Sequence, residues 1–393
     1  MQLSNRITQI NGGGDDGWGV FNRARQMKID GAPIIELTQG EHDIGTHPDI
    51  LAAMNRSAIG GNTGYAIVPG DRTLRETVAA RVTERTGVPT TYENVIITPG
   101  GQSALFASHN AVCDPGDTAL YLDPFYATYP GTLRAAGAVP RVVQTRPEDA
   151  FQPRSEDIDA VATGARSLLI NSPNNPTGTV YSHQTLTGIA DICKAHDLWL
   201  VSDEVYDTQV WEGSHISPRT LPGMAERTLV VGSMSKSHAM TGSRCGWVVA
   251  PKHVISALTD LATNTTYGVT GYIQDAANFA IQQGPELEEM VAAPFRRRRA
   301  LAADILGTQN TVGLIPAQGA MYLMLDIRST GMTGEAFAYA LLDTHQIAVM
   351  PGESFGAAAA GHIRVAMTID DTAFSDALKT LCKFAELLNT QRC

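Results

Sequence analysis

The sequence predicts an α/β protein: a large domain on a mostly parallel, seven-stranded sheet flanked by helices, plus a smaller α+β domain. Three observations lead there. From about residue 93 to 250, seven short apolar runs alternate with helix-length segments. Strands that are apolar on both sides, such as Val95-Ile-Ile-Thr98 and Leu198-Trp-Leu-Val201, belong in a sheet covered on both faces. The last hundred residues return to strand and helix alternation, and 393 residues exceed what one small core organises.

Residues 1 to about 45 read as an arm and a first strand. Asn11-Gly-Gly-Gly-Asp-Asp-Gly17 is a glycine-rich turn, Phe21 to Ile29 has helical spacing, and Ile34-Ile-Glu-Leu-Thr38 reads as a strand ending at Gln39-Gly40. The other large-sheet strands are expected at Ala119-Leu-Tyr-Leu122, Arg141-Val-Val-Gln144, Ser167-Leu-Leu-Ile170, Leu229-Val-Val231 and Trp247-Val-Val249. Helices follow from about 253 to 300, broken by a turn at Thr265-Thr-Tyr267-Gly-Val-Thr270. A long helix through Phe295 to Leu306 is expected to connect the domains. Beyond it come a strand at Gly319 to Asp326, a helix at Gly334 to Leu342, an edge strand at Ile347 to Gly352 and an amphipathic helix from Phe374 to Leu388. The division expected is 46–289 for the large domain, with 1–45 and 290–393 forming the small one.

A net charge of −11 and an isoelectric point near 5.4 argue against a nucleic-acid surface. The basic run Arg296-Arg-Arg-Arg299 is read as the solvated face of the helix it opens. Five cysteines (Cys113, Cys193, Cys245, Cys382, Cys393), scattered without C-x-x-C spacing, fit a reducing compartment and no structural zinc. No apolar run approaches the roughly 20 residues that cross a bilayer, and the first residues lack a signal-peptide core. A cytoplasmic protein with no membrane or metal partner is expected; His42 and His47 read as solvated loop histidines.

The chemistry centres on Ser233-Met-Ser235-Lys236-Ser-His-Ala-Met-Thr-Gly-Ser-Arg244, a loop between two apolar strands. Burial lowers a lysine's pKa and frees its amine as a nucleophile. The hydroxyls of Ser233 and Ser235, with Arg244 eight residues beyond the lysine, suit one phosphate. Alone, the stretch also fits a surface lysine between turn serines. Gly100-Gly101-Gln102 leads from a strand into a helix, whose free N–H groups suit an anion, and Gly101 and Gln102 are the candidate cradle. Asp203 ends a buried strand, where an acid is costly unless paired; alternation turns Glu204 to the other face. Arg364, in the apolar strand Ile363-Arg-Val-Ala366, is equally costly without an anion.

These stretches together resemble the class I/II, fold-type I aminotransferases over nearly the whole chain: S-x-S-K…R around Lys236, Gly64-Tyr65…Gly70…Leu74-Arg-Glu76, Asn175-Pro-Thr-Gly178 and Phe355-Gly…Arg364. The resemblance implies pyridoxal 5′-phosphate (PLP) as cofactor, held as a Schiff base on Lys236. Asp203 would pair with the pyridine nitrogen, Tyr126 would stack on the ring, and Asn175 and Tyr206 would bond the ring oxygen. Gly101, Gln102, Ser233, Ser235 and Arg244 would hold the phosphate, with Tyr65 reaching it from the other subunit of a homodimer whose sites lie at the interface. Phe125 or Tyr129 would serve equally well as simple packing aromatics beside Tyr126. Arg364 and the backbone of Gly40 would bind the substrate carboxylate, with Asn175 beside them.

The implied activity moves an amino group from an L-amino acid to a 2-oxo acid by a ping-pong route, with Lys236 as the proton carrier. Some aspartate-preferring relatives carry lysine where this chain has Gln102, so strict dicarboxylate specificity is not implied. Tyr267 and Thr270 depart from the family's residues there and receive no role. A PLP-dependent C–S lyase on the same fold is the alternative. A non-enzymatic regulator is remote, since only a short arm precedes Gly40 and the charge is acidic.

Overall fold

The computed structural model describes residues 1–14 and 17–391. Asp15 and Asp16 of the glycine-rich arm, and Arg392 and Cys393, lie outside the described residues. All seven expected strands form and share one sheet: β1 (Val95–Thr98), β2 (Thr118–Asp123), β3 (Val139–Gln144), β4 (Ala165–Asn171), β5 (Trp199–Asp203), β6 (Thr228–Ser233) and β7 (Gly246–Val249). The order is β1-β7-β6-β5-β4-β2-β3, parallel throughout except for the two pairings of β7.

Side-chain alternation sorts the apolar residues onto two faces. Leu169 and Val201 pack in a core that includes Ala104 and Leu105 of the helix Gly100–Val112. Their neighbours Leu168, Ile170 and Leu200 pack instead with Ile158 and Ile189 on the other side. Because only β7 runs backwards, its start meets the ends of β1, β4, β5 and β6 at one edge. That edge collects the loops after Thr98, Asn171, Asp203 and Ser233 and the turn before Gly246. Gly70, at φ +100°, makes the turn before the helix Arg72–Thr86; any side chain there would collide with Ile97.

A second sheet joins Met350–Pro351, His362–Ala366, Tyr322–Asp326 and Gly313–Leu314, all antiparallel. The expected first strand shrinks to Ile35–Glu36, because the chain changes partner: the Leu37 N–H still reaches Ala348, but its carbonyl accepts from Ala366 N–H. The expected edge strand Ile347 to Gly352 likewise divides. Ile347–Ala348 pairs in parallel with Ile35–Glu36, and Met350–Pro351 joins His362–Ala366. Val20 and Ala24 of the helix Gly19–Ile29 share a core with Phe337, Val365 and Phe374. From that shared core we propose that 1–45 and 290–393 act as one domain against 46–289, joined by the helix Pro285–Leu306.

The arginine run corrects its reading. It lies mid-helix, not at a helix start, and four consecutive helical residues point about 100° apart, so they cannot share one solvated face. Arg298 is buried, its guanidinium 2.5 Å from Asp43 and 2.8 Å from Asp371. Its three neighbours pair with Glu289, Asp371 and Glu212. Arg298 thereby ties the loop after Gly40 to the C-terminal helix Asp371–Thr390. Both acids are partly exposed, so solvent moderates the loss of either ion pair. Arg298→Ala is expected to lower unfolding stability by about 1–3 kcal/mol in urea denaturation; no measurable loss would mean that this clasp does not hold the fold.

Candidate active site

Every predicted site residue except Tyr65 lines one cavity of about 580 Å³ at that common strand edge. Its floor is Asp203, the last residue of β5. The carboxylate is fully desolvated, and among the described residues no cation pairs with it. Tyr129 Oη donates to Oδ2 at 2.7 Å, and the Val205 N–H approaches Oδ1 at 3.3 Å. Asn171 of β4 donates to the Asp203 carbonyl at 2.9 Å and accepts from the Asn175 N–H at 2.7 Å, which couples the Asn-Pro turn to the acid. Glu204 turns to the opposite side, held by Ser202, Ser217 and His215 at 2.8–2.9 Å.

One end of the cavity is built for close approach. Gly101 and Gln102 form the first turn of Gly100–Val112. A side chain at Gly246 would meet the Gly100 carbonyl carbon at 2.8 Å and the Gly101 nitrogen at 2.9 Å, so the turn and β7 touch through backbone alone. Ser233 Oγ donates to Ser235 Oγ at 3.0 Å and accepts from the Ser235 N–H at 3.1 Å. Arg244, at φ +51°, packs its guanidinium against Gly100 and donates to the Thr241 carbonyl at 2.8 Å. The Gln102 amide turns sideways: Nε2 donates to Thr132 at 2.7 Å, and Oε1 accepts from Thr128 at 3.1 Å. Its backbone and one Nε2 hydrogen remain for an anion.

Lys236 stands in the four-residue helix Met234–Ser237, and its Nζ donates to the Gly40 carbonyl. No side chain fits at Gly40, since a Cβ there would overlap the Tyr322 hydroxyl. The Lys236 carbonyl lies 3.1 Å from His42 Nε2 and accepts from Gln209 Nε2 at 3.1 Å. His42 is therefore no solvated loop residue. It stacks edge-on against Phe295, and burial, reinforced by the lysine charge, lowers its pKa to about 4. His47 is also held in place, since its Nδ1 accepts from the Asp49 N–H as N-cap of the helix Pro48–Ile59. Among the described residues, no cluster of three His, Cys, Asp or Glu could hold a metal.

Arg364 forms the far wall. It is buried between the rings of Tyr322 and Phe355, each 4.4 Å from its guanidinium. Nη1 donates to Asn175 Oδ1 at 2.9 Å and Nη2 to the Thr38 carbonyl, while Nε has no partner. Among the described residues no carboxylate pairs with it, and burial depresses its pKa. A desolvated guanidinium without an acid is a site for an anionic ligand.

The contributors that reading the sequence missed include four aromatic residues. Tyr129 follows Tyr126 by three residues; Tyr129 begins the helix Tyr129–Ala135, and both rings turn inward, 5.7 Å apart and edge-on. Tyr322 hydrogen-bonds Tyr206 at 3.1 Å, hydroxyl to hydroxyl. Trp18 and Phe21, beside the arm, line the cavity mouth. Tyr65 is not in the cavity; it is 93% exposed and edge-on to Tyr267.

The model of aminotransferase class I and II matches residues 32–381. The chain belongs to that family. It is 40% identical over 392 residues to the arginine–pyruvate transaminase of Pseudomonas aeruginosa, covering 99% of each chain. It is 35% identical to the aspartate/prephenate aminotransferase of Thermus thermophilus, over 93% of this chain and 94% of that one. A solved double mutant of Thermus thermophilus aspartate aminotransferase superposes with a TM-score of 0.92 at 33% identity, over 98% of this chain and all of that one. The chain is thus a PLP-dependent aminotransferase, and the lyase alternative lacks this support.

The residues of this aminotransferase fit PLP. A buried acid without a cation suits the ring nitrogen, the glycine turn with Ser233, Ser235 and Arg244 suits the phosphate, and Lys236 lines the same cavity. Burial pushes the Asp203 carboxyl up to about 6, against the hydrogen bonds from Tyr129 and Val205. A folded-state value above the ordinary one near 4 means that folding takes up a proton between them. The stability from this group is present below about pH 4 and is lost as pH rises through about 6. In the cofactor-free protein, Asp203→Asn should therefore raise stability at pH 7 by about 1–3 kcal/mol, with the gain vanishing near pH 4. Thermal melts at the two pH values check this; a variant destabilised at pH 7 would contradict it.

Proposed function

We propose that this aminotransferase uses Lys236 both to hold PLP covalently and to carry the transferred proton. The observation that carries the reading is the convergence of Asp203, Lys236 and Arg364 on one cavity, each buried or half-buried and none ion-paired among the described residues. When bound, PLP supplies the electron sink that stabilises negative charge at the donor's α-carbon.

The protein's own residues do the rest. Asp203, oriented by Tyr129, would pair with the pyridine nitrogen and keep it protonated. Arg364, its Nη1 oriented by Asn175 Oδ1 and Nη2 by the Thr38 carbonyl, grips the donor α-carboxylate. Lys236 Nζ, held at the Gly40 carbonyl, takes the proton from the donor α-carbon as general base. Tyr206, buried beside Tyr322, and Asn175 would supply hydrogen bonds to the ring oxygen. Ser233, Ser235, Arg244 and the Gly101–Gln102 turn would hold the phosphate. Over the full cycle the donor amino acid becomes its 2-oxo acid and a second 2-oxo acid becomes its amino acid.

We further propose a homodimer in the cytoplasm, with Tyr65 completing the phosphate site of the partner. Tyr65, Ile67 and Tyr267 are exposed together, and a groove of about 690 Å³ lined by Phe106, Leu258 and Leu261 offers an apolar face for a second copy. Cys113, Cys193, Cys245 and Cys382 are all buried free thiols, in keeping with a reducing compartment. Among the described residues no helix is long and apolar enough to cross a membrane.

Lys236→Ala is expected to lose the visible absorbance of the loaded enzyme and to lower turnover by at least about 10²–10⁴-fold. Absorbance spectra and steady-state rates read both; near-normal turnover would sink the assignment. Arg364→Lys, which keeps charge but loses the fork, should raise KM for the donor roughly tenfold or more, with a smaller change in kcat. A KM within twofold of the parent would remove Arg364 from the carboxylate site.

A further inference from the structure

We infer that Asp123, at the end of β2, is a positioning residue for substrate binding: its carboxylate docks the turn at 352–359 and so holds the Phe355 ring against Arg364. This rests on the proposal that Arg364 grips the donor α-carboxylate. Two stretches, Asp123-Pro124 and Phe355-Gly356, take no part in the chemistry above. Asp123 is buried but does not line the cavity, so it can act on a substrate only through other residues.

The two stretches come from different parts of the chain, 46–289 and 290–393, and meet through backbone. Asp123 Oδ2 accepts from the Ala358 N–H at 3.1 Å, and the Phe125 N–H donates to the Phe355 carbonyl at 2.9 Å. Gly356, at φ +118°, lies between those two contacts, and a Cβ there would overlap Asp123 Oδ1. Glycine is thus required twice, for the backbone angle and for the approach of the carboxylate. The strand end itself is fixed, since the Asp123 carbonyl accepts from the Thr145 N–H at 2.9 Å and from the Thr145 hydroxyl at 2.6 Å. Asp123 is the anchor, and the turn is the part that it shapes.

The turn needs an outside anchor. Two of its own bonds, from the Gly356 N–H to the Glu353 carbonyl and from the Ala359 N–H to the Gly356 carbonyl, are stretched to 3.3 Å. Among the described residues no cation pairs with Asp123; burial pushes its pKa up to about 6, against the hydrogen bonds from Ala358 and Ala357. Above that value the carboxylate makes charge-assisted bonds, roughly twice as strong as neutral ones. The turn carries Phe355, whose ring centroid lies 4.4 Å from the Arg364 guanidinium, with Tyr322 at the same distance. Asn175 and the Thr38 carbonyl hold the two Nη atoms, and the rings confine the guanidinium faces. Moving the turn would free one face and let the fork tilt away from a carboxylate.

The test uses the loaded enzyme at about pH 8, where Asp123 is ionised, and single amino acids without an added oxo acid. Leucine, lysine, alanine and aspartate are compared by stopped-flow absorbance, and the one that bleaches the parent's visible band fastest serves as donor. Asp123→Ala should raise its half-saturating concentration roughly tenfold while the limiting rate stays within about threefold, the scale of one charge-assisted hydrogen bond. Asp123→Asn keeps an accepting oxygen for the Ala358 N–H and should recover roughly threefold of that loss, a neutral bond being about half as strong. An unchanged half-saturating concentration in Asp123→Ala, a loss carried by the limiting rate, or an Asn variant no better than Ala would overturn the inference.

Phe355→Leu tests the relay. If Asp123 acts through Phe355, combining Asp123→Ala with Phe355→Leu should raise the half-saturating concentration no further than the larger single effect; effects that multiply would overturn it. If Asp123→Ala loses the visible band, Asp123→Ser, whose oxygen stops one bond short of Ala358, takes its place. Loss of the band in both would overturn the inference, because a residue acting through Arg364 leaves the cofactor loaded. An Arg364→Lys variant that saturates like the parent, or a parent that no amino acid bleaches, would remove the underlying reading and the inference with it. A raised value in Arg364→Lys with none in Asp123→Ala would overturn the inference alone.

Discussion

The constraint on which the rest depends is a carboxylate buried without a cation. Asp203 ends a central strand of the large sheet, and the protein alone gives it only the Tyr129 hydroxyl and one backbone N–H. Such a group stabilises nothing by itself; it raises its own pKa and waits for a protonated partner. The sheet is arranged to deliver one. Four forward strand ends and the start of the single reversed strand meet at that edge, so acid, lysine, glycine turn and arginine surround one volume. A ring whose nitrogen is protonated and whose far end carries a phosphate satisfies all of them together.

A second uncompensated charge suits an anionic ligand in the same cavity. Arg364 comes from the other sheet, yet its fork points into the same cavity, oriented by Asn175 of the large sheet's loop and the Thr38 carbonyl. The Lys236–Gly40 contact crosses between the same two parts of the chain, and the Arg298 pairs with Asp43 and Asp371 brace the loop after Gly40 within the smaller one. Arg364, Lys236 and the loop between them are therefore held by a common set of cross-links.

Much of this was legible in the residues. Seven apolar runs became seven strands, and the motifs named about half of the cavity's lining residues, Asp203, Lys236 and Arg364 among them, because strand alternation and turn chemistry are local properties. What escaped depends on long-range packing. Tyr129 reads as an ordinary aromatic until the helix that it begins brings it over Asp203. Tyr322 lies on a strand of the second sheet, and only tertiary packing places its hydroxyl against Tyr206 and Gly40. Arg298 belongs to a run that looks like a solvated face, and burial selects one of four identical residues through acids 255 positions upstream and 73 downstream. His42 carries no local mark of burial. Tyr65 differs again, because its expected role lies on another copy of the chain.

The central claim is that Lys236, in one cavity with the buried acid and the unpaired arginine, is the residue that bears the cofactor. Borohydride reduction of the loaded enzyme followed by proteolysis and mass mapping tests it most directly. The expected result is a phosphopyridoxyl mass on the peptide containing Lys236 and on no other lysine. A label on a different lysine, or none on a protein that carries the visible band, would contradict it.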